Sequence, residues 1–266
     1  MTRRTITHTT RYTYDAPVSY ALQKARLRPQ DGPGQSVLDW TLEVEGGRIE
    51  TSYRDHYGNL VDLISTDPGA TEVAITAKGA CDVLDMSGIT GAVYGRAPLW
   101  HFAQPTALTT PDEAITALSR DLSTATDTLA ALHETAAAIL KAVPYETGHT
   151  DPGTTAAQAM AGGAGVCQDH AHIFIAAARA GGLPARYVSG YLYMPDREDQ
   201  DASHAWAEVH VNDIGWVGFD VSNGISPDDK YIRIATGRDA ADATPLSGMR
   251  QGGADAQMVV TLQVQQ

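Results

Sequence analysis

Cys167 stands where a glycine-rich loop is predicted to become a helix. It follows Gly162, Gly163 and Gly165 and opens an apolar segment that ends at Gly181. A thiol is a useful nucleophile only as a thiolate, which the N–H groups of a helix start and a neighbouring imidazolium both favour. The position therefore predicts a nucleophile, although a cysteine at a helix start more often serves packing.

Two later residues have the types that such a nucleophile needs as partners. His204 lies in the alternating segment 203–211, which predicts a strand with His204 and Glu208 on one face. Asp220 lies in the next predicted strand, 216–221. A nucleophile, a base and an acidic residue that could orient the base thus follow one another along the chain. This order is compatible with amide acyl transfer through a thioester.

The same neighbourhood offers a metal-binding alternative. Cys167, His170 and His172 lie close in sequence, and His204 and His210 follow. On a helix, residues 167 and 170 share a face while 172 projects elsewhere, and a bound metal would quench the thiolate. We therefore predict no metal and no cofactor, and we interpret His170 and His172 as ordinary helix residues.

Several motifs between residues 162 and 248 closely resemble those of the bacterial transglutaminase-like proteins. They are Gly165-Val-Cys-Gln-Asp, Pro184-Ala-Arg-Tyr-Val-Ser-Gly-Tyr, Ser203-His-Ala-Trp-Ala-Glu-Val, Gly215-Trp-Val-Gly-Phe-Asp and a C-terminal element, Gly237-Arg-Asp-Ala-Ala-Asp-Ala-Thr-Pro-Leu-Ser-Gly. A weaker resemblance, to the β-rich module that precedes this core in such proteins, covers Tyr14-Asp-Ala-Pro-Val, Arg26-Leu-Arg-Pro and Asp55-His-Tyr-Gly-Asn.

The resemblance implies an α+β fold. A papain-like, transglutaminase-like core of helices packed on an antiparallel sheet would follow a β-sandwich-like N-terminal module. It also implies a catalytic triad of Cys167, His204 and Asp220, working without a cofactor on a peptide or protein substrate. The expected activity is that of a peptidase, an amidohydrolase or a protein transglutaminase. The alternative is a non-catalytic protein- or peptide-binding module of the same fold. The intact triad argues against this alternative, because a binding module does not need all three residues.

Some positions depart from the family pattern. His170 stands where an aromatic residue such as Phe is expected, Val221-Ser222 replaces an expected Pro-Thr, and Ala240 replaces an expected Tyr. Since none of these changes removes a member of the triad, they concern the shape of the substrate pocket.

The triad constrains the connection between the two strands that carry His204 and Asp220. A regular two-residue hairpin at Asp213-Ile214 would pair residue 207 with Asp220, placing Asp220 on the face away from His204. Because side chains alternate along a strand, the register must shift by an odd number of residues. An odd-length loop centred near Asn212, or a bulge at Gly215, would supply that shift.

Local patterns divide the chain into two predicted domains, a β-rich module at residues 1–95 and the catalytic core at 96–266. Strands are predicted at 5–14, 38–45, 48–54, 73–77 and 80–84, with a hairpin at Gly46-Gly47 and Cys81 in the core. Helices are predicted at about 110–122, 127–143, 155–161 and 167–180. A strand is predicted at 185–194, before an exposed polar loop at 195–201.

Composition narrows the classes of partner. The net charge is −13, from 32 acidic and 19 basic residues, which disfavours binding to nucleic acid. No apolar run approaches the roughly 20 residues of a membrane span, so no membrane partner is expected. The N-terminus lacks the apolar segment of a secretory signal, and a cytoplasmic location with reduced thiols is therefore expected.

Overall fold

The structure, a computed structural model, describes residues 1–91, 96–120, 122, 124–200, 202–251 and 256–266. Within these residues the strands are β1 (Thr2–Tyr14), β2 (Tyr20–Arg28), β3 (Gln35–Glu45), β4 (Gly47–Arg54), β5 (Leu60–Thr66), β6 (Glu72–Val83), β7 (Ile89–Gly91), β8 (Ala185–Leu192), β9 (Asp199–Gln200), β10 (His204–Val211), β11 (Gly215–Phe219), β12 (Tyr231–Gly237), β13 (Leu246–Gln251) and β14 (Ala256–Gln265). The helices are α1 (Leu99–Phe102), α2 (Glu113–Leu118), α3 (Thr128–Ala142), α4 (Ala156–Gly162), α5 (Cys167–Ala180) and α6 (Ala240–Ala243).

The N-terminal part is built from two antiparallel sheets, with strand orders β3-β6-β1-β14-β9 and β13-β2-β5-β4. The alternating pattern of β1 and β2 turns every second side chain inward, because successive side chains of a strand point to opposite faces. Leu27 and Ile64 from one sheet meet Leu42 and Ile75 from the other in a common apolar cluster. The predicted β-sandwich-like module is thereby confirmed.

The hairpin predicted at Gly46-Gly47 is wrong. β3 pairs with β6, whereas β4 pairs with β5 in the other sheet. The glycines form a corner at which the chain passes from one sheet to the other. Gly46 has a φ of +73°, and a Cβ there would run into the carbonyl of Glu72. Glycine is required at this corner for both reasons.

The core is a third sheet, with strand order β12-β8-β10-β11-β7, and helices pack on one of its faces. α5 is buried along most of its length, and its Phe174 and Ala178 meet Ala207 and Val209 of β10 in the apolar cluster. The α+β fold with helices on an antiparallel sheet is confirmed. α2 is shorter than the segment predicted at 110–122, and its N-cap is Asp112, whose carboxylate accepts a hydrogen bond from the N–H of Ile115.

The last two strands return to the N-terminal sandwich. β13 pairs with β2 and β14 pairs with β1. The domain division at residues 95 and 96 stays a prediction, to which the structure adds that residues 246–265 complete the sheets of the first module. No helix in the described part of the chain is long and apolar enough to cross a membrane.

Candidate active site

Hydrogen bonds to Asp169 fix the backbone around Cys167 at the start of α5. The carboxylate of Asp169 accepts a hydrogen bond from the N–H of Val166 at 2.8 Å and another from the hydroxyl of Thr150 at 2.6 Å. Gly165 packs directly on Asp169, and a Cβ at that glycine would lie 2.9 Å from the Asp169 Oδ2. Because Gly165 has no side chain, the Asp169 carboxylate has room to bind the backbone N–H of Val166, the residue before Cys167.

The connection between β10 and β11 has the predicted odd shift in register. Val211 pairs with Gly215, so three residues form the loop, and its centre is Asp213 rather than Asn212. Asp213 and Gly215 have φ values of +65° and +91°. A Cβ at Gly215 would collide with the backbone of Gly91. This register turns Asp220 toward the face of the sheet that carries His204.

The structure brings the three predicted site residues together. His204 Nε2 donates a hydrogen bond to Asp220 Oδ2 at 2.6 Å. The side chain of Cys167 lies beside the same imidazole, close enough to raise its pKa. Because Nε2 is engaged by Asp220, Nδ1 is the ring nitrogen that remains for the thiol. His204 thus lies between the start of α5 and Asp220, the residue that follows β11.

Asp220 is buried, and it accepts hydrogen bonds from more donors than the His204 predicted from the sequence. Its Oδ2 also accepts hydrogen bonds from the Tyr231 hydroxyl at 2.7 Å and from Asn223 Nδ2 at 2.6 Å, and its Oδ1 accepts one from the Asn223 N–H at 3.3 Å. Tyr231 begins β12, a strand that the sequence prediction missed. The alternation of Tyr231 and Arg233 with Ile232 and Ile234 is the signal that could have found it.

The electrostatics of the pair favour an imidazolium beside a carboxylate. Burial alone would lower the pKa of His204, but the hydrogen bonds with Asp220 and Cys167 outweigh it and raise the pKa to about 10. Burial would raise the pKa of Asp220, yet the hydrogen bonds from His204, Asn223 and Tyr231 keep this pKa below its ordinary value. Both residues are therefore charged at neutral pH.

His170 and Ser222, which both depart from the family pattern, contact each other. His170 Nε2 lies 2.7 Å from the Val143 carbonyl, which can only accept, so this nitrogen carries the proton. Nδ1 then accepts a hydrogen bond from the Ser222 hydroxyl at 2.8 Å. The imidazole is buried, and that burial lowers its pKa. His170 and Ser222 together join the end of α3, the first turn of α5 and the turn after Asp220.

The remaining histidines and the second cysteine lie elsewhere. His172 Nε2 accepts a hydrogen bond from the Ala240 N–H at 3.0 Å, and His210 packs against Trp216. In the part of the chain that the structure describes, no group of three or more His, Cys, Asp or Glu residues could hold a metal ion. Cys81 is fully buried in β6, as predicted, and burial raises the pKa of its thiol to about 12.

Similarity to known proteins decides the family. Residues 116–221 match the model of the transglutaminase-like superfamily, and residues 5–82 match that of the bacterial transglutaminase-like N-terminal region. The chain belongs to the transglutaminase-like superfamily. An uncharacterized protein of Mycobacterium tuberculosis is 31% identical, over 93% of this transglutaminase-like chain and 87% of that protein.

Two further relatives extend along almost the whole transglutaminase-like chain. An uncharacterized protein of Mycobacterium leprae is 28% identical over 99% of both chains. The crystal structure of a candidate cysteine protease from Cytophaga hutchinsonii superposes with a TM-score of 0.75 at 22% identity, covering 99% of this chain and 97% of that one. The fold is therefore shared from the N-terminal sandwich through the core.

The hydroxyl of Tyr231 can be tested separately from the three site residues. Tyr231→Phe removes one donor to Asp220, which raises the pKa of that carboxylate because the lost hydrogen bond had lowered it. We expect the acid limb of the rate of Cys167 alkylation to move to higher pH, with the rate at neutral pH reduced by less than about tenfold. Tyr53→Phe, on the exposed face of β4, is the matched control and should leave the profile unchanged.

Proposed function

We propose that this transglutaminase-like protein is a cysteine-dependent amide acyl-transfer enzyme. Cys167 is its nucleophile, His204 its general base and acid, and Asp220 the residue that orients His204. The observation that supports this most is the hydrogen bond from His204 Nε2 to Asp220 Oδ2, with Cys167 beside the same imidazole at the N-terminus of a buried helix. A peptide or protein is the proposed substrate.

The reaction follows from the charges and positions of these groups. An imidazolium at His204 favours the thiolate of Cys167, which attacks an amide carbonyl and forms a C–S bond. The Cys167 N–H at the helix start is positioned to stabilise the oxyanion. Collapse of the tetrahedral intermediate breaks the C–N bond, and His204 gives its proton to the leaving ammonia or amine. Asp220 accepts from Nε2 throughout and keeps Nδ1 directed at the sulfur.

The thioester then has two possible acceptors. Water, deprotonated by His204, would release a carboxylate, as in a peptidase or amidohydrolase. A primary amine would give a new amide, as in a protein transglutaminase. In both cases the thiol is regenerated, so the two outcomes share the first half of the reaction.

A peptide library analysed by mass spectrometry tests the proposal and separates the two outcomes. The library is incubated with the protein, with and without an added primary amine such as methylamine. Cleaved or deamidated peptides indicate hydrolysis, and amine-dependent adducts indicate transamidation. The Cys167→Ala variant is the control and should give neither. If wild type and variant produce the same products, the proposed enzyme is excluded.

Selective alkylation provides a test that needs no substrate. We expect iodoacetamide at neutral pH to modify Cys167 at least about 100-fold faster than Cys81, because alkylation requires an accessible thiolate. Cys167 is partly exposed beside an imidazolium, whereas Cys81 is fully buried and its thiol has a raised pKa. Peptide mapping over time measures both rates in one sample. Equally slow modification of the two thiols would favour the non-catalytic alternative.

A further inference from the structure

A cavity of about 590 Å³ lies where the N-terminal sandwich meets the core sheet. Its walls are residues 30–35 before β3, the turn 54–59 between β4 and β5, and parts of β8 and β12. Cavities of this size are typical of sites for small organic molecules. Cys167, His204 and Asp220 lie outside its described lining, so the cavity is separate from the candidate active site.

Side-chain amides join the walls of the cavity into a fixed shape. Gln35 accepts a hydrogen bond from the Arg233 N–H at 2.8 Å and donates one to the Arg233 carbonyl at 3.0 Å. Asn59 makes the same pair of bonds with the backbone of Thr236, both at 2.8 Å. Two loops of the sandwich are thereby fastened to β12 of the core, and the cavity between them does not depend on a loop closing.

The turn Asp55-His-Tyr-Gly-Asn, a motif to which the proposed reaction gives no role, shapes one side. Asp55 Oδ1 accepts hydrogen bonds from the N–H groups of Tyr57 at 2.9 Å and Asn59 at 3.0 Å. The Tyr57 hydroxyl donates to Asp242 at 2.6 Å, which holds its ring in place. His56 and Tyr57 both line the cavity, His56 with an exposed ring and Tyr57 with a ring that is almost fully buried.

The lining is rich in guanidinium groups. Among the described lining residues are two aspartates, Asp31 and Asp55, and four arginines, Arg54, Arg96, Arg186 and Arg233. The cavity wall is therefore positive, whereas the whole chain has a net charge of −13. The carboxylate of Asp55 is also engaged by Arg26 at 3.5 Å, from outside the described lining.

The four arginines of the lining differ in burial. Arg186 is fully buried, with its guanidinium 4.1 Å from the centre of the Trp216 ring and its Nε donating to Glu208 at 2.7 Å. Arg233 also contacts Glu208 and is partly exposed. Arg54 and Arg96 are exposed. A planar guanidinium binds carboxylate or phosphate in bidentate fashion, and the exposed pair can do so without breaking a buried ion pair.

We propose that this cavity binds a small organic anion that carries a phosphate or carboxylate group. The anionic group lies on Arg54 and Arg96, and the organic part lies against His56 and Tyr57. The site is independent of the proposed acyl transfer, because Cys167, His204 and Asp220 are not among its described lining residues.

Isothermal titration with three probes tests the proposal on the full chain. Glucose 6-phosphate and citrate represent the phosphate and carboxylate sources, and glucose is the neutral counterpart. We expect one or both anions to bind and glucose not to bind. Binding of glucose 6-phosphate alone assigns a phosphate site, and binding of citrate alone assigns a carboxylate site. Absence of binding by both anions at about 10 mM overturns the proposal.

Matched arginine variants locate the site. Arg96→Gln and Arg54→Gln should each weaken anion binding by about tenfold or more, as expected for loss of a charged hydrogen bond. Arg48→Gln is the control, because Arg48 is an exposed arginine of β4 that pairs with Glu50 outside the cavity. An equal loss in all three variants would show non-specific attraction and overturn the proposal. Cys167→Ala should bind the anion as the wild type does, whether or not the protein is an acyl-transfer enzyme.

Discussion

The Cys167→Ala variant is expected to lose activity by about 10⁴-fold or more while it keeps its fold. The sulfur is the atom that forms the thioester, and alanine has no atom that could replace it. The side chain is only partly buried, at the edge of the core around α5, so its truncation should cost less than about 1 kcal/mol of stability. Product formation by mass spectrometry and urea unfolding measure the two quantities.

Cys81→Ala is the matched control, because it deletes the same atom from the core of β6. The two variants should show opposite patterns. Cys81→Ala should retain activity and lose about 1 kcal/mol or more, since it leaves a cavity around a fully buried side chain. If Cys167→Ala instead unfolds like a core deletion, with a loss above about 2 kcal/mol, Cys167 is a packing residue and the proposed nucleophile is wrong.

Much of the candidate site was predictable because it depends on local patterns. The glycine-rich approach to Cys167 and the period of α5 predict a helix start at the thiol. Strand alternation then places His204 and Asp220 on one face only if the connecting loop is odd, and the structure has that loop at residues 212–214. The requirement that His204 and Asp220 lie on one face thus predicts the odd-length loop from the sequence alone.

The rest required pairings between distant parts of the chain. β3 and β4 adjoin in sequence but join different sheets, since their partners β6 and β5 are chosen by packing across the sandwich rather than by the glycines between them. β13 and β14 pair with β2 and β1, almost the full length of the chain away. Local propensity contains no signal for such pairings, and it therefore could not predict the cavity between sandwich and core.

Asp220→Ala should lower the rate by about 10³-fold, less than the loss of His204 itself, and Asp220→Asn by about tenfold. When the catalytic histidine is an imidazolium, its orienting partner needs only to accept a hydrogen bond from Nε2. An asparagine oxygen in the position of Oδ2 can still accept from His204 and Tyr231. Alanine accepts from neither, and the imidazole is then free to turn away from the sulfur. The side-chain amide of Asn223, whose Nδ2 lies 2.6 Å from Asp220 Oδ2, could partly replace the lost carboxylate.

The pH dependence of stability distinguishes this role from simple packing. The pKa of His204 is raised to about 10, so its contribution to stability is fully present below the ordinary pKa of about 6.5 and is lost as pH rises through about 10. The pKa of Asp220 is lowered, so its contribution is present above its ordinary value of 3.8 and is lost as pH falls through the lowered pKa. The midpoint of urea unfolding for wild type should therefore exceed that of Asp220→Ala most between about pH 4 and 6.5, where both contributions are fully present. The difference should shrink toward both extremes of pH. A difference that is independent of pH, with activity equal to that of the wild type, would remove Asp220 from the proposed triad and make Asn223 the next candidate.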